Sequence, residues 1–98
     1  MLLARVIGTV VSSQKEFRCH GKKLLLIQPH VTGGDGLVPS GGSVVAADGI
    51  GAGLGSLVMY TQGSSARLTD LTRDTPIDAV IIGIVDSVEM DGRRLDAR

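Results

Sequence analysis

Few residues in this chain of 98 are of types that do chemistry. Cys19 and His20 are adjacent, and His30 follows. A neighbouring cysteine and histidine cannot easily ligate one ion, and no CxxC or HxxxH spacing supports a metal centre, so these read as loop residues. Ser64 or Ser65 could serve as a nucleophile beside a histidine base, but no G-x-S-x-G elbow is present, and Ser64 reads as a helix cap. Paired carboxylates could do acid–base work, and Asp48, Asp78 and Asp86 are the candidates. Asp48 and Asp78 stand where turns and caps favour aspartate anyway. Asp86 falls inside an apolar stretch, where burial would demand a partner. Arg67 or Arg5 could supply one, and an ion pair across a subunit boundary is preferred to catalysis. Neither a cofactor nor a metal site is expected.

One stretch invites a phosphate. Val44 to Asp48 begins as a strand and passes into Gly49-Ile50-Gly51-Ala52-Gly53-Leu54-Gly55, where four of seven residues are glycine. A dinucleotide fingerprint fails on spacing, because Leu54 or Ser56 stands where the third glycine belongs. No Lys-Ser/Thr pair follows, which removes the P-loop. The turn is therefore read as serving packing and close backbone approach, with glycine sterically required at Gly51 and Gly53.

Composition bounds what can position these residues. Ten basic residues balance ten acidic ones, so the chain has no electrostatic footprint for nucleic acid or an anionic membrane. Phe17 and Tyr60 are the only aromatics, which leaves a core of Val, Ile, Leu and Ala. A single cysteine excludes an internal disulfide and fits a reducing cytosol. Met1 to Arg5 does not read as a signal peptide, and the longest apolar run, Ala79 to Val85, is too short to span a bilayer. Residues 1–98 read as one domain.

The elements follow from patterning and punctuation. Leu2 to Ser13 reads as a long strand with a bulge at Gly8. Gln14 to Lys22 reads as a turn or loose hairpin. Lys23 to Gln28 is a second strand closed by Pro29, and Thr32 to Gly42, with five glycines and Pro39, an exposed loop. Ser43 to Asp48 and Gly55 to Thr61 flank the glycine turn as strands. Ser64 to Leu68 suggests a short helical turn, and Thr72 to Pro76 a turn. Ile77 to Met90 is the strongest strand, Asp91-Gly92 a hairpin turn, and Arg93 to Arg98 a short edge strand or tail. The expected fold is mainly β: a small five- to six-stranded OB-like β-barrel with one short helical turn.

Two runs point past the protomer. Leu24 to Ile27 and Ala79 to Val85 do not alternate apolar with polar residues, although one face of each strand must point away from a barrel. So small a domain has little to cover that outer face, and a second subunit is the economical cover.

Three segments carry a likeness to a known family. They are Gly8 to Lys15 with Gly21 to Gln28; Ala46 to Gly55; and Gly63-Ser64-Ser65-Ala66-Arg67 with Pro76-Ile77-Asp78-Ala79 leading into Val80 to Val88. In this order and spacing the chain resembles the bacterial microcompartment vertex proteins, the pentameric shell family shared by carboxysomes and metabolosomes. Many relatives carry Glu where this chain has Ser56. The resemblance implies an oligonucleotide-binding-type barrel, a homopentamer in the bacterial cytoplasm, and a structural role at the fivefold vertices of a polyhedral shell. Its partners would be its own copies and hexameric shell proteins, with no nucleic acid, membrane or cofactor, and no catalysis. Residues expected near subunit contacts or the axis are Asp48, Gly51, Gly53, Gly55, Ser64, Ser65, Arg67 and Asp86. The rival use of such a barrel is nucleic-acid binding. It needs a basic groove and stacking rings, which a neutral chain with two aromatics does not supply.

Overall fold

The computed structural model describes residues 1–11, 23–34, 36–63, 79–90 and 92–96. Eight strands run through them: β1 (Leu2–Thr9), β2 (Lys23–Gly33), β3 (Gly36–Pro39), β4 (Val44–Asp48), β5 (Leu57–Gln62), β6 (Ala79–Ile84), β7 (Ser87–Met90) and β8 (Arg93–Asp96). The larger sheet has the order β1-β5-β6-β4-β2-β3, and β1 also pairs with β2. That last pairing closes five strands into a barrel and leaves β3 as an extra strand on β2. All neighbours are antiparallel except β4 and β6, which run parallel with Ala47 opposite Val80. β7 and β8 form a separate hairpin across Gly92.

The interior is filled by alternate residues of each strand, as the period of two requires. Ala4 and Val6, Leu25 and Ile27, Ala46, Val58 and Tyr60, and Ala79 and Ile81 form one buried cluster. Apart from Leu25 and Tyr60, that cluster is built of alanine and β-branched residues. Tyr60 is the one large ring inside among the described residues, 2 % exposed. Burial pushes its phenol above its ordinary pKa, because the anion would lose its hydration there.

Closure of so small a barrel needs sharp coiling, and two bulges supply it. On β1 the register with β2 shifts between Val6 and Gly8, the bulge anticipated at Gly8. On β6 it shifts opposite Met59 and Tyr60, so that Ile82 is the extra residue.

Several boundaries differ from the expectation. Pro29 does not end β2, which continues to Gly33. Proline is tolerated because β4 pairs with β2 only as far as Ile27 and the pairing with β3 begins at His30, so Pro29 owes no ladder donor on that side. The carbonyl of Pro29 accepts the Ser40 N–H at 2.9 Å, and the Gln28 side-chain amide donates to Gly41 O at 3.1 Å, bridging the gap. The stretch from Thr32 to Gly42 is accordingly not an open loop: it carries the end of β2 and all of β3. Ile77 to Met90 is not one strand either. It breaks after Ile84, and Asp86 lies exposed at the bend before β7, not inside an apolar strand. The outer face of the barrel, to which the non-alternating runs and β4 contribute, divides. Ala47 and Val80 are buried with Leu24 and Ile82 packed against them, whereas Val45 and Ile84 are exposed in the protomer. The expected helical turn at Ser64–Leu68, the Gln14–Lys22 hairpin, the Thr72–Pro76 turn, and Cys19, His20 and Asp78 lie outside the described residues.

Candidate functional site

The glycine turn closes one end of the barrel. It leaves β4 at Asp48 and folds back so that Ala52 is fully buried in the core cluster. A methyl group is what fits at the narrow end of a barrel lined by valine, leucine and alanine.

Asp48 fastens the turn. It is 5 % exposed, and its two carboxylate oxygens accept different backbone donors: Oδ1 takes Ile50 N–H at 3.1 Å and Oδ2 takes Ala52 N–H at 2.9 Å. Aspartate at a strand end commonly bonds the backbone two residues on, and a charged acceptor makes such bonds stronger. From the neighbouring strand Lys23 stands directly opposite Asp48. Its Nζ donates to Ala52 O at 3.2 Å and lies 3.8 Å from Asp48 Oδ2. Half of the lysine side chain is exposed, so screening weakens the ion pair, and the amide bonds of Asp48 are the stronger fastening.

The return limb is tied to β1. Gly53 N–H donates to Ser56 Oγ at 3.2 Å, and Ser56 N–H to Gly53 O at 3.0 Å. Gly55 N–H donates to Val6 O and Val6 N–H to Ser56 O, both at 2.9 Å. Arg5 Nη1 donates to Gly55 O at 2.8 Å. The amides of Ile50, Ala52, Gly53 and Gly55 are thus taken up by Asp48, Ser56 and Val6, in keeping with the packing role read from the sequence.

Gly51 and Gly55 adopt φ of 88° and 86°, the left-handed region where a side chain is strained. Gly53 does not: its φ is ordinary, and a Cβ there would lie 4.0 Å from Ser56 Oγ. The expectation that Gly53 is sterically required is therefore corrected, with Gly55 taking its place. Asp48, Gly51, Gly53 and Gly55 come together in one turn, while Asp86 sits exposed at the bend before β7. Ser64, Ser65 and Arg67 lie outside the described residues. Sequence reasoning missed Lys23 and Ser56. Lys23 is found only once the β2–β4 register is known. Ser56 had a local signal, a hydroxyl three residues beyond Gly53 in a tight turn. His30 is engaged through Nδ1 with Gln28 O at 2.8 Å, and no group of metal-ligating side chains occurs among the described residues.

Comparison with known proteins decides the family. The model of the family described as ethanolamine utilisation protein EutN/carboxysome matches residues 1–86. The chain belongs to the EutN/CcmL family. It is 47 % identical over 95 residues to the carboxysome shell vertex protein CcmL of Gloeobacter violaceus, covering 97 % of this chain and 92 % of that protein. It is 45 % identical over 89 residues to the microcompartment shell vertex protein PduN of Salmonella typhimurium, covering 90 % and 98 %. The solved structure of the Gloeobacter CcmL superposes with a TM-score of 0.85, covering 96 % of this chain and 94 % of that one. The pentameric shell protein GrpN from Rhodospirillum rubrum gives a TM-score of 0.77 at 42 % identity, covering 92 % and 98 %. This EutN/CcmL barrel is therefore shared by carboxysome and metabolosome relatives alike. No helix among the described residues is long and apolar enough to cross a membrane.

Proposed function

We propose that this chain is a microcompartment shell vertex protein. It assembles as a homopentamer in the bacterial cytoplasm, occupies the fivefold corners of a polyhedral shell and closes it. The observation that carries the reading is the 47 % identity, over nearly the whole of both chains, to a carboxysome shell vertex protein. Supporting it are the pentameric state of the GrpN relative and the apolar residues Val45, Ile84 and Leu54 left exposed on the protomer. A flat lattice of hexagonal units cannot close without fivefold units, so the chain acts by shape and catalyses nothing. Its neighbours in the lattice are hexameric shell proteins. Residues 1–98 work as one vertex domain, without cofactor, nucleic acid or lipid.

The test is reconstitution. Hexameric shell proteins from a microcompartment locus are co-expressed with and without this chain, and the particles are imaged by electron microscopy. Closed polyhedra are expected with the chain, and open sheets or tubes without it. Closed, normally shaped polyhedra in its absence, with no incorporation when it is present, contradict the reading.

A further inference from the structure

The β7–β8 hairpin shares no ladder with the barrel. Val85 N–H donates to Leu57 O at 2.8 Å, and Asp86 then lies exposed at the bend. Among the described residues, β7 and β8 pair only with each other. A two-stranded hairpin by itself is marginal in water, so something must hold this one in place. Its register puts Val88, Met90, Arg93 and Leu95 on one face, and Glu89 and Arg94 on the other. Val88, Met90 and Leu95 are half-buried, whereas Glu89 and Arg94 are exposed. The apolar face is therefore the seated one. Its seat is on β3: Leu95 Cδ1 lies 3.9 Å from where a β-carbon of Gly36 would stand.

That seat belongs to a second arm. Beyond His30, β2 pairs with β3 alone. Val31 stands opposite Val38 across this arm, and Gly33 opposite Gly36, so the four share one face. Val38 leans over Gly33, where a β-carbon would lie only 2.9 Å from Val38 Cγ2. The glycines leave room on this face, and Leu95 takes up part of it at Gly36. The valine pair beside it stays in water, Val31 48 % and Val38 42 % exposed. We propose that β7–β8 is a strap, hinged at Asp86 and seated by Leu95 on Gly36, that closes over Val31 and Val38 and opens without disturbing the barrel. A unit with few buried apolar contacts and no shared ladder opens locally at far less cost than the whole molecule unfolds. Closing takes the valine pair out of water. Opening uncovers it together with Val88, Met90 and Leu95, so one local motion covers or bares a continuous apolar surface.

The test is hydrogen exchange of the full chain, read by mass spectrometry, with the native mass of each sample recorded alongside. In the parent, the amides of β7 and β8 are expected to exchange well before those of β5 and β6. Leu95→Ser and Val38→Ser should each abolish the remaining protection of the hairpin and leave that of β5 and β6 unchanged. The double variant Gly36→Cys with Leu95→Cys should form a disulfide in the folded chain, slow exchange in the hairpin when oxidised, and return to faster exchange on reduction. Exchange of the hairpin in step with the barrel would make the two a single cooperative unit and overturn the proposal. Unchanged hairpin exchange in either serine variant, or failure of the disulfide to form, overturns it as well. A loss of protection that appears only when the native mass falls would put the seat on a neighbouring copy, which contradicts a strap within one chain while leaving the vertex reading intact.

Discussion

Asp48 shows how one side chain can carry a structural element. Both oxygens of a nearly dry carboxylate accept amides of the turn that follows it. Removing it leaves the Ala52 N–H at the closed end of the barrel without its acceptor, the case in which a lost hydrogen bond costs most. Asp48→Ala is expected to destabilise the protomer by about 2–3 kcal/mol, measured by urea unfolding, whereas Lys23→Ala costs under about 1 kcal/mol because half of that side chain is in water. Equal losses would show that the lysine holds the turn as firmly as the carboxylate. Tyr60 offers a second residue-level test. The folded barrel keeps its phenol neutral, with a pKa raised above the ordinary 10.0. The unfolded chain therefore loses this proton first as pH rises, so stability is intact below pH 10 and falls as pH climbs through the folded pKa. Because Tyr60 is the only tyrosine, tyrosinate absorbance reports it alone. It should appear above pH 10, together with loss of the β-sheet circular dichroism signal. Titration of an intact barrel at the ordinary value would contradict its burial.

At the scale of elements, the glycine turn is the discriminating case. Gly51→Val and Gly55→Val place a β-branched side chain at positive φ and are expected to cost about 1–2 kcal/mol each. Gly53→Ala, in an ordinary conformation with Ser56 Oγ its nearest neighbour at 4.0 Å, should cost under about 0.5 kcal/mol. Thermal melts of the three variants check the order, and a Gly53→Ala melt as low as the other two would show that the turn is tighter than its geometry. This element also marks how far a sequence can be read. That the turn serves packing was legible, since glycine density, failed phosphate spacing and the strands on either side all agree. Which glycines are obligatory was not, because φ depends on where the return limb meets Val6 and Ser56, contacts that are remote or set by the fold. The same holds for Pro29. Proline reads as a strand end, yet it is harmless where one ladder stops and the next has not begun, and that gap exists only in the assembled sheet. The bulge at Gly8 was legible because a glycine inside a β-branched run has few other uses. Asp86 misled because the apolar run before it hid the bend after Ile84. Lys23 became part of the site only through its register with Asp48, and a one-residue slip would have turned it to the other face.

At the scale of the whole molecule, the barrel solves only half of its own burial problem. Its interior is closed by Ala, Val, Ile and Leu around Tyr60, and part of its outer face is covered at Ala47 and Val80. Val45, Ile84, Ile50 and Leu54 remain in water on the single chain. Of these four, Ile84 lies in a run whose lack of alternation pointed to an uncovered outer face; Val45, Ile50 and Leu54 do not. The measurement that tests the central claim most directly is the native mass of the purified chain at micromolar concentration. Five protomer masses in one closed species, persisting on dilution, is the predicted result; a monomer, or a ring of six, would contradict the assignment of this barrel to a fivefold vertex.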